Sequence, residues 1–268
     1  MEPTLARQGV EVNYANAVID PAARIAADVE IGPGSVIAGA VEIGAGCRLG
    51  PHVVMQGPTR IGRNNHIHAF SVIGGDPQDK KFGGETDSRL EIGDDNTIRE
   101  HCTLNRGTAQ GGGVTRIGNG NWIMANVHIA HDCHIGNQTV FANNVALAGH
   151  VTVDDHAILG GFTGVHQFCR IGAYSFAAIA SIIVKDVPPY MMVAGNTAST
   201  HGLNREGLKR NGFSTETVNL LKRAYKTLYR QNLGLAEALA ELRDIARHSP
   251  EVARLVEFVS QSTRGIVR

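Results

Sequence analysis

The chain has 268 residues, and its 25 Lys+Arg balance its 25 Asp+Glu, so no global field favours nucleic acid or an anionic membrane surface and any anion site must be local. No run reaches the eighteen apolar residues of a membrane span, and the N-terminus lacks the basic-then-apolar pattern of export, which points to a cytoplasmic protein with no stable membrane insertion. Thirty-two glycines beside only 5% aromatic residues fit regularly spaced turns better than an ordinary helical or doubly wound enzyme.

From Ile19 onward an apolar residue recurs every six positions, through Ile25, Ile31, Ile37, Ile43, Leu49, Met55, Ile61 and Ile67 to Ile73. The phase resumes at Ile92, Ile98 and Leu104, and again from Ile117 through Ile123, Ile129 and Ile135 to Ile183. A period of six matches neither the 3.6 of an α-helix nor simple alternation, but it suits a coil of short strands with one aliphatic side chain at each corner. The expected fold is therefore a left-handed parallel β-helix of hexapeptide repeats, running from about Ile19 to Val184 within a domain at 1–195. The fifth position of each hexad holds small residues such as Ser35, Val53, Thr139 and Ala157. All four cysteines, Cys47, Cys102, Cys133 and Cys169, share that phase and no CxxC occurs, so they read as buried filler rather than metal ligands, disulfides or nucleophiles.

The phase breaks twice. One insertion covers Gly74 to Leu90 and includes Asp76-Pro77-Gln78-Asp79-Lys80-Lys81; the other contains Arg106, Gly107 and Gly111-Gly112-Gly113. Loops that interrupt a solenoid commonly sit on its binding face. After Pro188-Pro189 the pattern turns helical. Ser214 is placed to cap a helix through Leu228, a second helix spans Leu235 to Ala246, and Ser249 with Pro250 at the first helical position opens a third to Val259. These make an α-helical C-terminal domain at 196–268.

Chemistry concentrates in Ala125–His134, which holds His128, His131, Asp132 and His134. With three hexads to a coil, stacked positions lie eighteen residues apart, so His131, Asp132, Gly149, His150 and Gln167 should share one outward patch. His131 is a candidate general base, Asp132 its orienting partner, and the Gly149 N–H a candidate oxyanion donor. On the residues alone, a merely solvated polar face is the alternative. The same arithmetic sets Asn144 over Asn126 as a structural asparagine ladder.

The stretches His128-Ile-Ala-His-Asp-Cys133, Leu147-Ala-Gly-His150, Val165-His-Gln-Phe-Cys169, Asp186-Val-Pro-Pro-Tyr190, Glu206-Gly-Leu-Lys-Arg210 and Ser262-Thr-Arg-Gly265 resemble the UDP-N-acetylglucosamine O-acyltransferases of lipid A biosynthesis over essentially the whole chain. The resemblance implies a homotrimer with sites between subunits, no cofactor and no metal. It implies transfer of a 3-hydroxyacyl group from acyl carrier protein to the 3-hydroxyl of UDP-N-acetylglucosamine, or to the amine of a 3-amino analogue, as the first step of lipid A assembly. His131, Asp132 and Gly149 would take the roles given above. Nucleotide-sugar contacts would come from Gln78, Asp79, Lys81, His128, His150, His166, Gln167, Asn204, Glu206 and Arg210. Where family members commonly carry a second arginine after the position of Arg210, this chain has Asn211. Lys222, Arg223 and Arg230 would help dock the acidic acyl carrier protein. Ile179, two positions past the hexad residue Ala177, stands where long-chain members have glycine and is the expected acyl-chain ruler, giving a preference for medium chains. The later N-acyltransferase of the same pathway usually carries an additional N-terminal domain, for which hexads starting near Ile19 leave no room. A β-helix carbonic anhydrase using His128, His131 and His134 on a metal, and a non-catalytic trimeric scaffold, are the remaining alternatives.

Overall fold

The computed structural model describes residues 16–84 and 87–268. Residues 1–15 of the expected β-helix domain, and Glu85 and Thr86 of the first insertion, lie outside the described residues. Strands of two to five residues follow one another around three parallel faces, building sheets of nine, eight and ten strands. Each strand pairs with the strand one coil further on, as in Val18↔Val36 and Val36↔Val54, so the eighteen-residue repeat is the height of one coil. The chain is a left-handed parallel β-helix with a small helical C-terminal region.

The strands are short because most corners contain a residue in the left-handed conformation, three positions after the corner aliphatic. Asp132 (φ 60°), His150 (φ 61°) and Phe168 (φ 64°) form one such column. Asn, Asp and His tolerate this region better than most residues. Aromatic and imidazole rings at these positions stack coil on coil: His52 on Phe70 at 5.2 Å, Phe70 on His101 at 5.1 Å, and His156 on Tyr174 at 4.6 Å.

Inside the prism the hexad aliphatics Ile67, Ile98, Ile123, Ile129 and Leu147 are fully buried. The four cysteines are free and buried, and burial pushes the Cys133 thiol up to about 12. The asparagine ladder that forms is an internal one at the fifth position. Asn96 Nδ2 donates to Asn65 Oδ1 at 2.9 Å, Asn121 Nδ2 to Asn96 Oδ1 at 2.9 Å, and Thr139 Oγ1 to Asn121 Oδ1 at 2.7 Å. Asn126 and Asn144 instead occupy left-handed corner positions.

The insertions stretch the pairing offset from eighteen residues (Val54↔Val72) to thirty-one (Val72↔Thr103) and then twenty-five (Thr103↔His128). Both leave the nine-stranded sheet and re-enter the eight-stranded one, so both emerge from the same corner of the prism. The outer columns differ in chemistry. The nine-stranded sheet presents Val18, Val36, Val54 and Val72, whereas the eight-stranded sheet presents Arg24, Glu42, Arg60, Glu91 and Arg116, with ion pairs such as Arg24–Glu42 at 3.0 Å and Arg116–Glu91 at 2.9 Å.

Beyond Pro188-Pro189, Met191–Ala194 pairs antiparallel with Ser199–Leu203; the expected division at 195/196 falls between these two strands. Four helices follow: α1 (Arg205–Arg210), α2 (Thr215–Arg230), α3 (Leu235–Ala246) and α4 (Pro250–Ser260). Ser214 Oγ accepts the Thr217 N–H at 3.0 Å, and Ser249 Oγ accepts the Val252 N–H at 3.3 Å, as N-caps should. Helix α1 leaves no periodic signal in the sequence, since six residues are too few to show one. Asp186, buried, fastens the end of the chain to the β-helix: its carboxylate accepts the Arg170 N–H at 2.8 Å and the Ser262 hydroxyl at 2.7 Å, and its carbonyl accepts the Val267 N–H at 2.9 Å.

Candidate active site

His131 and Asp132 occupy the turn after the strand His128–Ile129, at the corner from which both insertions emerge. The next coil places Gly149 and His150 there, and the one after it Gln167 and Phe168, with His150 N–H donating to His131 O at 3.0 Å and Phe168 N–H to Gly149 O at 3.2 Å. The expected clustering of these residues is thus present, with one correction. Asp132 is not part of an outward patch, being only 4% exposed, because the second insertion folds over it.

The dyad is tightly made. His131 Nδ1 and Asp132 Oδ2 are 2.8 Å apart, which fixes the Nδ1–H tautomer and leaves Nε2 free to take a proton. Asp132 Oδ1 accepts the Thr108 N–H at 2.9 Å, and Oδ2 accepts the Thr108 hydroxyl at 2.7 Å. Burial works to raise the Asp132 carboxyl, but hydrogen bonds from His131 and Thr108 outweigh it and hold the group below its ordinary value. It is therefore ionised at neutral pH.

Gly149 lies against the imidazole. A Cβ there would come within 2.5 Å of His131 Cε1 and 2.7 Å of Nε2, so only glycine leaves the ring in place. Among the described residues no acceptor takes the Gly149 N–H. His150 crosses His131 edge-on at 5.2 Å and stacks on Phe168 at 4.4 Å. Burial lowers the His150 pKa against the pull of Asp132 and of Asp79 in the first insertion. His128 is bonded to Thr103 Oγ1 through Nδ1 at 2.7 Å, and burial with neighbouring His131 lowers it. His166 Nδ1 lies 3.2 Å from Arg264 Nη2.

Gln78, Asp79 and Lys81 lie on the first insertion, which opens at this corner. The remaining expected contacts lie elsewhere. Asn204 is buried, its Oδ1 capping α1 by accepting the Gly207 N–H at 3.1 Å and its Nδ2 donating to Tyr174 O at 2.9 Å. That fastens α1, with exposed Glu206 and Arg210, to the corner between the eight- and ten-stranded sheets. Ile179, 71% exposed, stands at the third corner, next to Gly160. His134 projects from the eight-stranded sheet beside Arg116 and Thr152, so the triad His128, His131 and His134 does not converge. The metal-capable grouping among the described residues is His131, Asp132 and His150, whose carboxylate is already engaged by Thr108 and His131. Sequence reasoning did not single out Thr108, and named Arg106 only as part of the second insertion without a role; their only signal was their place in a break rich in glycine.

Residues 186–267 match the profile described as "Udp N-acetylglucosamine O-acyltransferase; Domain 2", and residues 40–75 and 115–149 match "Bacterial transferase hexapeptide (six repeats)". The acyl-[acyl-carrier-protein]–UDP-N-acetylglucosamine O-acyltransferase of Thiobacillus denitrificans is 57% identical over 95% of this chain and 98% of its own length, and that of Stenotrophomonas maltophilia (strain K279a) 52% identical over 95% and 97%. Among solved structures, the UDP-N-acetylglucosamine acyltransferase of Francisella novicida superposes with a TM-score of 0.93 at 44% identity, covering 94% of this chain and 92% of that one. The Moraxella catarrhalis enzyme gives 0.92 at 48% identity, covering 94% and 98%.

Proposed function

This chain belongs to the acyl-[acyl-carrier-protein]–UDP-N-acetylglucosamine O-acyltransferases, and from that membership we propose that it moves a 3-hydroxyacyl group from acyl carrier protein to the 3-hydroxyl of UDP-N-acetylglucosamine, the opening reaction of lipid A biosynthesis, with His131 as general base. The observation that carries the mechanism is the packing of the His131 ring on Gly149, whose amide has no acceptor among the described residues. His131 Nε2 takes the proton of the sugar hydroxyl as its oxygen bonds to the thioester carbonyl carbon. The buried Asp132 carboxylate steadies the imidazolium through Nδ1–H. The carbonyl oxygen, now an oxyanion, is received by the Gly149 N–H. As the tetrahedral centre collapses, the C–S bond breaks and the thiolate of the carrier's prosthetic arm takes the proton from His131.

The nucleotide-sugar contacts proposed are Gln78, Asp79, Lys81, His128, His150, His166 and Gln167 at this corner, with Asn204, Glu206 and Arg210 on another edge of the same prism. A cytoplasmic homotrimer unites them, each subunit lending its α1 edge to its neighbour's His131 corner. The valine column on the nine-stranded sheet, where among the described residues Val18 is 65% and Val36 42% exposed, supplies apolar surface for such packing. Lys222, Arg223 and Arg230, all exposed along α2, are the proposed docking cations for acyl carrier protein.

Incubation of the purified protein with 3-hydroxyacyl-carrier protein and UDP-N-acetylglucosamine should yield the O-acylated nucleotide sugar by mass spectrometry. His131→Ala should lower turnover by about 10²- to 10⁴-fold with the assembly still folded; near-normal rates in the folded variant would sink the assignment.

A further inference from the structure

The second insertion supplies none of the substrate contacts proposed above, yet it touches both halves of the site. Arg106, its side chain 11% exposed, reaches from the base of this insertion to the first one. Its Nη2 pairs with Asp76 Oδ1 at 2.6 Å, its Nη1 donates to Gly57 O at 2.6 Å, its backbone N–H donates to Gly75 O at 3.0 Å, and its guanidinium lies 5.3 Å from the centre of the Phe82 ring. Asp76 and Phe82 bracket Gln78, Asp79 and Lys81 in sequence. One arginine thus holds the segment carrying those three residues at both ends, with charge-assisted bonds stronger than neutral ones.

Two residues later, Thr108 holds the Asp132 carboxylate with both its amide and its hydroxyl. Thr108 is itself fixed. Its hydroxyl accepts the Gly111 N–H at 3.1 Å, and its carbonyl accepts the N–H groups of Gly111 at 3.1 Å and Gly113 at 2.8 Å. A Cβ on Gly111 would collide with the Asp132 carboxylate, so the backbone closes directly over that group. Below, the Asp132 N–H donates to the buried Thr115 hydroxyl at 2.8 Å.

We propose that the second insertion is the positioning element of this active site, with Arg106 setting the nucleotide-sugar loop and Thr108 setting the Asp132–His131 dyad. The proposal rests on the site assignment made above. The two residues act through different partners, so their losses have different kinetic signatures. Loosening the loop weakens sugar binding and leaves the base untouched. Removing the Thr108 hydroxyl takes away a donor that stabilises ionised Asp132. The carboxylate then protonates at higher pH, which moves the acid limb of kcat/KM upward. The charged and titratable groups facing Asp132 are His131 and His150, with buried Cys133 next in the chain and Asp79 acting on His150; none of them is altered in the variants.

Steady-state kinetics across pH on the full-length protein test this. Arg106→Ala should raise KM for UDP-N-acetylglucosamine about 10- to 100-fold, with kcat and the acid limb near wild type, and Arg106→Lys should recover part of the loss. Asp76→Asn breaks the same pair from its exposed side and should raise the same KM if Arg106→Ala fails to fold. Thr108→Val should lower kcat and shift the acid limb to higher pH with the sugar KM little changed, and Thr108→Ser should restore the limb. A wild-type sugar KM in Arg106→Ala and Asp76→Asn, or an unmoved limb in Thr108→Val, overturns the proposal. So does one uniform loss common to all variants, which marks a merely structural role. Lys81→Ala and His131→Ala separate the two levels: if these respond and the positioning variants do not, the positioning idea alone fails, whereas silence in all of them removes the site assignment as well.

Discussion

At the scale of single residues, position in the hexad decides chemistry. Cys133 sits between Asp132 and His134 in sequence, beside the dyad, yet it points into the prism, donates to Ala148 O at 3.2 Å and stays protonated because burial pushes it up to about 12. Cys133→Ala should therefore retain most activity, and an acyl-cysteine trapped in mass spectrometry would demand a covalent route instead. Ile179 is the opposite case, an aliphatic side chain facing out. If it closes the end of the acyl groove, each methylene of a longer chain that it displaces costs about 0.8 kcal/mol of burial. Ile179→Gly should then move the preferred acyl carrier protein substrate to longer chains. An unchanged optimum across a graded series would leave Ile179 as a sealing contact only. The inward phase of Cys133 and the outward phase of Ile179 were both legible, because a strict period assigns a direction to each position. The burial of Asp132 was not legible, since it depends on Thr108 and Gly111 arriving from an insertion whose path no period specifies.

At the scale of elements, the coil spaces functional groups by its own pitch. His131 and Gly149 stand one coil apart, so the candidate base and the candidate oxyanion donor are set by backbone hydrogen bonds and not by loop conformation. Gly149→Ala tests this. The backbone there does not need glycine's left-handed freedom, so the protein should fold with nearly unchanged thermal stability while the added methyl displaces the His131 ring. Turnover should fall by about 10²- to 10⁴-fold, because the variant keeps its backbone N–H but loses the position of the candidate base. A full-rate variant would show that the reaction does not need the His131 ring held against this position. Eighteen-residue arithmetic on sequence was enough to bring His131, Gly149, His150 and Gln167 together. It mislaid the asparagine ladder because that ladder, through Asn65, Asn96 and Asn121, crosses both insertions at offsets of thirty-one and twenty-five residues. The capped helices α2 and α4 were readable from Ser214, Ser249 and Pro250, whereas α1 became visible only through Asn204 in the folded chain.

At the scale of the whole molecule, the three faces divide the labour. A column of alternating charges pairs with itself on one sheet, while a column of valines on another stands partly exposed among the described residues, Val18 and Val36 most of all. Sedimentation at micromolar concentration should give three copies per particle, and a stable, fully active single chain would contradict the shared-site arrangement. The C-terminal end of the prism carries a further consequence. A stack of parallel strands ends in rows of unpaired N–H and C=O groups that can recruit any other strand, and here each of the three sheets is closed in its own way. The nine-stranded sheet ends where Ile182 bonds Gly195 and Ala198, the eight-stranded sheet where Val187 bonds Arg170 and Asp186 in turn bonds Val267, and the ten-stranded sheet in the antiparallel strand Ser199–Leu203. The chain from Asp186 onward is thus a stopper as well as the proposed docking platform: without it the same six-residue regularity that makes the prism stable would make it a template for end-to-end fibre growth.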